Sequence, residues 1–139
     1  MYTAKAHVTG GRLEGHGRSS DGALEVDLRP PVGGDDVGGT NPEQLFAVGY
    51  ASCFESALGA VARRRKLEAG DVEIDSSVSL VTGEERSFTL AVELAVTLPS
   101  VADPDEAAEL VRAAHKVCPY SNATRGNIEV ALSANGVAI

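Results

Sequence analysis

The stretch from Thr40 to Gly70, "TNPEQLFAVGYASCFESALGAVARRRKLEAG", decides how the rest of the chain is read. Thr40-Asn41-Pro42-Glu43 is a helix start. Thr40 or Asn41 can cap, Pro42 suits the first turn, and Glu43 completes a capping box with Thr40. Leu45, Gly49, Cys53, Ala57 and Ala60 then share a face at steps of three and four, joined by Phe46, Tyr50, Phe54, Leu58 and Val61, and the pattern runs to about Leu67. A helix apolar nearly all round belongs inside a structure, covered on several sides, which points to a sheet on one side and a partner subunit on another. The basic run Arg63-Arg64-Arg65-Lys66 falls at the helix end, where cations complement the carbonyl end of the dipole.

Upstream, residues 2–9 (YTAKAHVT) read as a first strand stopped by Gly10-Gly11, which puts Arg12 at a turn. Ser19-Ser20-Asp21-Gly22 is a turn cluster, and "ALEVDL" (23–28) alternates as a half-buried strand does, so a small antiparallel meander is expected. Arg29–Gly39, rich in Pro, Gly and Asp, reads as a mobile loop. Downstream, residues 72–81 and 87–98 alternate at period two around Thr82–Arg86 and predict a hairpin. A second helix opens at Asp103-Pro104 and ends near Cys118, because Pro119 disfavours helical geometry in the residue before it. A turn or short helix through Gly126 and a last strand, "IEVALS" (128–133), follow. Blocks of strand divided by two helices give an α+β class rather than a doubly wound sheet, in one domain over residues 1–139.

The net charge of −8 disfavours nucleic acid as a partner. No run approaches the roughly 18 uninterrupted apolar residues of a membrane span. The first residues lack the pattern of a secretory signal, so a cytoplasmic chain is expected, one in which the sequon Asn122-Ala123-Thr124 goes unglycosylated and two cysteines form no structural bridge. Cys53 and Cys118 each have an ordinary reading as small core hydrophobes. A zinc site from Cys53, Cys118 and His115 is a second option, weakened by the lack of a CxxC pair. Arg12 reads as a solvated turn residue and Glu43 as a cap.

The runs "TNPEQLFAVGYASCF" (40–54) and "AHKVCPYSNATRGNI" (114–128), with "GGR" (10–12) and "SSDG" (19–22), resemble the organic hydroperoxide resistance (Ohr) branch of the Ohr/OsmC family over essentially the whole chain. The osmotically induced OsmC branch shares the Asn-Pro-Glu and Cys-Pro cores but lacks the full "CPYSNATRGNI" string. The resemblance implies antiparallel sheets wrapped around two central helices in an intertwined homodimer with sites at the subunit interface. It also implies an enzyme, a cysteine-based peroxidase that reduces organic hydroperoxides, including fatty-acid hydroperoxides, to alcohols. No metal, haem or other cofactor is implied. By the same resemblance Cys53 matches the peroxidatic cysteine, Cys118 the resolving one, Arg12 the thiolate-activating residue and Glu43 the group that orients Arg12. The implied reductant is a lipoylated protein or another dithiol.

These roles also make chemical sense. Only the thiolate attacks peroxide oxygen, and a thiol of ordinary pKa is mostly protonated at neutral pH, so a catalytic Cys53 needs a cation beside it. An apolar pocket from Leu45, Phe46, Phe54 and Tyr120 would favour bulky peroxides, although core packing explains each residue too. Ten residues separate Glu43 from Cys53, roughly 15 Å along an unbroken helix. Either the helix breaks near Gly49, or Arg12 and Glu43 serve Cys53 of a second subunit. The other readings of the same sequence are an OsmC-type peroxidase and a redox sensor or hydrophobe-binding protein that does not turn over.

Overall fold

Gly10 and Gly11 set the path of the first segment. Both take positive φ (75° and 65°), and a Cβ on Gly10 would lie 2.4 Å from the Glu14 carbonyl oxygen, so only glycine fits there. Strand β1 (Ala6–Thr9) therefore passes into a single helical turn, α1 (Gly11–Glu14), and returns antiparallel as β2 (Gly15–Ser19), with Thr9 opposite His16. Strand β3 (Glu25–Leu28) completes a sheet of order β1-β2-β3. The turn before β3 is the expected one: the Asp21 carboxylate accepts from the Ser19 hydroxyl (2.6 Å) and the Ala23 N–H (2.9 Å).

The computed structural model describes residues 1–31 and 38–139. Most of the loop expected over Arg29–Gly39 thus lies outside the described residues. On its two sides the chain comes together: the Thr40 N–H donates to the Asp27 carbonyl (2.8 Å) and the Arg29 N–H to the Thr40 carbonyl (2.9 Å).

Helix α2 (Pro42–Arg64) is capped by Asn41, whose Oδ1 accepts from the Gln44 N–H at 2.8 Å. The capping box expected between Thr40 and Glu43 does not form. The Thr40 hydroxyl donates to Gln44 Oε1 (2.6 Å), and the Glu43 carboxylate is engaged by Arg12.

The described chain falls into two compact units, Met1–Leu45 and Phe46–Ile139. In the second, β4 (Glu73–Thr82) and β5 (Phe88–Thr97) form the expected hairpin around a 3-10 turn at Glu84–Arg86. Helices α3 (Pro104–Val117) and α4 (Pro119–Thr124) then carry the chain to β6 (Glu129–Ala134), and β7 (Val137–Ala138) closes the sheet β4-β5-β6-β7. The sheets are not antiparallel throughout, as expected above: β5 and β6 pair in parallel. A helical crossover between two strands returns the chain in its original direction, whereas a tight hairpin reverses it. Asn135-Gly136, both at positive φ, make such a hairpin between β6 and β7.

The core of this unit packs Tyr50, Phe54, Leu58 and Val61 of α2 against Val92, Leu94 and Val96 of β5 and Leu110, Val111 and Ala114 of α3. By length and composition α2 could span a bilayer, but this face is built into a protein core. Its other side is not covered within the unit. Val48 is 71% exposed and, with Ala47, Ala51 and Ser52, lines an open groove of about 670 Å³ whose opposite wall includes Ile74 and Ser76 of β4.

Removing the observed cap should matter and removing the expected one should not. Asn41→Ala is expected to cost about 1 kcal/mol in urea unfolding, the usual value of an N-cap, with Thr40→Ala costing less than half as much. Equal losses would contradict the assignment of Asn41 as the cap.

Candidate active site

In the N-terminal unit the structure brings Arg12 and Glu43 together. Arg12 stands on α1, fixed by the glycine turn before it, and Glu43 sits in the first turn of α2. One guanidinium nitrogen, Nη2, donates to both carboxylate oxygens, at 2.6 Å to Oε1 and 2.7 Å to Oε2. The Arg12 side chain remains 42% exposed against 16% for Glu43, so the cation has an open side. The Arg12 hydrogen bond is the main influence holding the Glu43 carboxyl below its ordinary pKa, against partial burial. Glu43 therefore keeps its negative charge at neutral pH, and it holds Arg12 in place.

In the C-terminal unit the structure brings Cys53 and Cys118 together. Both are free thiols, Cys53 half-buried on α2 and Cys118 fully buried between α3 and α4. Cys118 has φ −60° and ψ 124°, the extended geometry that a following proline imposes, and its N–H closes α3 on the Ala114 carbonyl (2.8 Å). The helix stop predicted at Pro119 is where the thiol is presented.

Burial raises the Cys53 pKa above its ordinary value, and the neighbouring Cys118 raises it further through charge repulsion and a hydrogen bond. The Tyr120 backbone N–H acts the other way, favouring the thiolate. Within its unit, then, Cys53 is held as a thiol. Cys118 is well placed to meet an oxidised Cys53.

Three aromatic rings cluster in the same unit. Phe46, Tyr50 and Tyr120 pack with centroids 5.9, 5.9 and 5.7 Å apart. Gly49 permits this approach, since a Cβ there would lie 3.1 Å from the Tyr120 hydroxyl. Of the four expected pocket residues, Phe46 and Tyr120 share this cluster and Tyr120 is 39% exposed. Phe54 has no exposed surface and serves the core, while Leu45, the last residue of the N-terminal unit, is half-buried.

His115 does not turn its Nδ1 toward the cysteines but bonds Ser121 Oγ at 2.9 Å. Burial, with the Arg125 charge as a smaller cause, lowers its pKa. The Arg125 guanidinium donates to the His115 carbonyl, so its charge acts on the end of α3. Tyr50, Ser121 and Thr124 individually carry no polar signal in the sequence pattern, yet all three are buried and joined by hydrogen bonds through the Tyr50 hydroxyl. The spacing Ser121-x-x-Thr124 on one face of a short helix was the available signal.

Residues 33–133 match the family described as OsmC-like protein. The organic hydroperoxide resistance protein of Xanthomonas axonopodis pv. citri (strain 306) is 52% identical over 138 residues, covering 96% of this chain and 94% of its own. The crystal structure of the organic hydroperoxide resistance protein OhrB of Bacillus subtilis is similar at a TM-score of 0.87 and 47% identity, over 96% of this chain and 98% of that one. An organic hydroperoxide resistance protein OsmC from Legionella pneumophila gives a TM-score of 0.88 at 48% identity, over 96% and 97%. Fold and similarity together define an OsmC-like α+β protein. The chain belongs to the Ohr/OsmC family, on its organic hydroperoxide resistance branch.

Because Cys118 raises the pKa of Cys53, its removal has a defined sign. In Cys118→Ala the pH profile of Cys53 alkylation by iodoacetamide should move to lower pH, with faster reaction at neutral pH than in the native protein. A profile that stays in place or moves upward would contradict the proposed coupling.

Proposed function

We propose that this protein is a cysteine-based peroxidase that reduces organic hydroperoxides, fatty-acid hydroperoxides among them, to alcohols. The observation that carries the reading is the meeting of two free thiols from distant parts of the chain, Cys53 half-buried and Cys118 fully buried beside it. The names of the relatives, organic hydroperoxide resistance proteins, support the substrate class.

The Cys53 thiol gives up its proton, the thiolate attacks the terminal peroxide oxygen, the O–O bond breaks, and the departing alkoxide takes up one proton to leave as alcohol while Cys53 becomes a sulfenic acid. The Cys118 thiol condenses with it, releasing water and forming a disulfide. An external dithiol, in our reading a lipoylated protein, returns two electrons by thiol–disulfide exchange and regenerates both thiols. This cycle draws on thiol chemistry alone and calls for neither metal nor haem. A reducing cytoplasm suits it, since both cysteines must return to thiols between turnovers.

The raised pKa of Cys53 must be overcome at the moment of attack, and Arg12 has the required charge. We assign it the activating role, with Glu43 orienting it. Helix α2 is continuous through Gly49. Ten residues of helix amount to roughly 15 Å, so the reading places the Arg12–Glu43 pair of one subunit against Cys53 of its partner in a homodimer. Phe46 and Tyr120 would supply the apolar wall that favours bulky peroxides.

Turnover separates this enzyme from a sensor that reacts once. With dihydrolipoamide as reductant, the native protein should consume tert-butyl hydroperoxide and linoleic acid hydroperoxide through many cycles, and Cys53→Ser should be inactive. Purified heterodimers of a Cys53→Ser chain and an Arg12→Ala chain should keep one intact site and about half the activity of the native dimer. Stoichiometric reaction without turnover would sink the enzyme reading, and inactive heterodimers would sink the shared site.

A further inference from the structure

Around the Cys118 junction lies a polar network buried in an otherwise apolar core. Tyr50 and Ser121 are fully buried and Thr124 is 7% exposed. The Tyr50 hydroxyl lies 2.8 Å from Ser121 Oγ and 3.1 Å from Thr124 Oγ1, and Ser121 Oγ lies 2.9 Å from His115 Nδ1. The Thr124 hydroxyl donates to the Ser121 carbonyl at 3.3 Å. One direction of donation satisfies every group: His115 Nδ1–H to Ser121, Ser121 to Tyr50, Tyr50 to Thr124, and Thr124 to the backbone. A buried network of this kind is worth its desolvation only when complete, and it then fixes its members in one arrangement.

The placement of these members points beyond packing. His115 is in the last turn of α3, Ser121 and Thr124 are on α4, and between the two helices stands Cys118. The Arg125 guanidinium donates back to the His115 carbonyl and ties the helices a second time. Tyr50 anchors the assembly to α2 three residues before Cys53, so the anchor and Cys53 occupy the same turn of helix. The Tyr120 N–H, which faces Cys53, belongs to the same first turn of α4 as Ser121.

We propose that His115, Ser121, Tyr50 and Thr124 form a strap of positioning residues that holds the α3–α4 junction against α2, so that the Cys118 thiol and the Tyr120 N–H both face Cys53. This inference rests on the thiol-redox reading above and adds to it the device that sets the geometry of the resolving step. In that step the Cys118 thiol hydrogen leaves with the sulfenic hydroxyl as water while the S–S bond forms, and the sulfur must reach bonding distance in a narrow range of orientations. A junction free to drift would present Cys118 less often and leave Cys53 sulfenic acid open to further oxidation.

Two readouts in reduced, folded protein test the strap: the midpoint of the Cys53 alkylation profile against pH, and the single-turnover rate of disulfide formation after a pulse of tert-butyl hydroperoxide. In Ser121→Ala and Tyr50→Phe the midpoint should fall by about 0.3 pH unit or more, because the Cys118 thiol, whose raising influence on Cys53 exceeds the lowering one of the Tyr120 N–H, no longer faces the sulfur squarely. Disulfide formation should slow on the order of tenfold, with more Cys53 sulfinic acid at excess peroxide. Ser121→Thr, which keeps the hydroxyl, should restore both. Val92→Ala, a core substitution outside the network, is the control for lowered stability. Native values for both readouts in Ser121→Ala and Tyr50→Phe overturn the strap alone, as does an equal change in Val92→Ala. A native protein that forms no Cys53–Cys118 bond overturns the redox reading and the strap with it.

Discussion

Desolvation of a thiol is the constraint around which this molecule is arranged. In the proposed reading Cys53 meets a bulky, apolar peroxide at an apolar surface, while its burial raises its pKa and disfavours the thiolate that such chemistry needs. Two groups offset this in the proposed reading. One is local and partial, the Tyr120 N–H at the start of α4. The other, proposed to act across a homodimer, is Arg12, a permanent cation on a glycine-built turn, kept in place by an ionised Glu43 and still open on one side. A guanidinium suits that role because it cannot lose its charge at any pH the protein meets.

The architecture follows from how these pieces must be delivered. A thiol at the end of α3 needs a sharp stop, and Pro119 supplies it by forcing Cys118 out of helical geometry while starting the next helix. The helical crossover that presents Cys118 is also what makes β5 and β6 parallel within an otherwise antiparallel sheet. Helix α2 contributes a core face, Cys53, Glu43 and an uncovered apolar side with Val48. That last feature suits the homodimer of the proposed reading.

Much of this was legible in the sequence. The α+β order, the long helix, the β4–β5 hairpin and the stop at Cys118 all follow from periodicity and proline chemistry. Strand β2 was missed because its inward positions are Gly15 and Gly17, which carry no apolar signature. The β6–β7 turn was overlooked although Asn135-Gly136 is a strong hairpin signal. The cap fell to Asn41 rather than the Thr40–Glu43 box because a carboxylate facing a guanidinium at 2.6 Å is not free to reach back to a backbone N–H. At the site, the cysteines and the Arg12–Glu43 pair were nameable from their motifs. The Tyr50–Ser121–His115 network was not, since its members come from three helices and each passes for an ordinary core or surface residue on its own.

The central claim, that Cys53 and Cys118 act as one redox pair, is tested most directly by mass spectrometry of the reduced protein after a single equivalent of tert-butyl hydroperoxide. The account predicts a chain lighter by two hydrogens, with a proteolytic fragment in which the Cys53 and Cys118 peptides are joined. A protein in which both cysteines remain alkylatable, or in which Cys53 accumulates as sulfenic or sulfinic acid while Cys118 stays a free thiol, would contradict it.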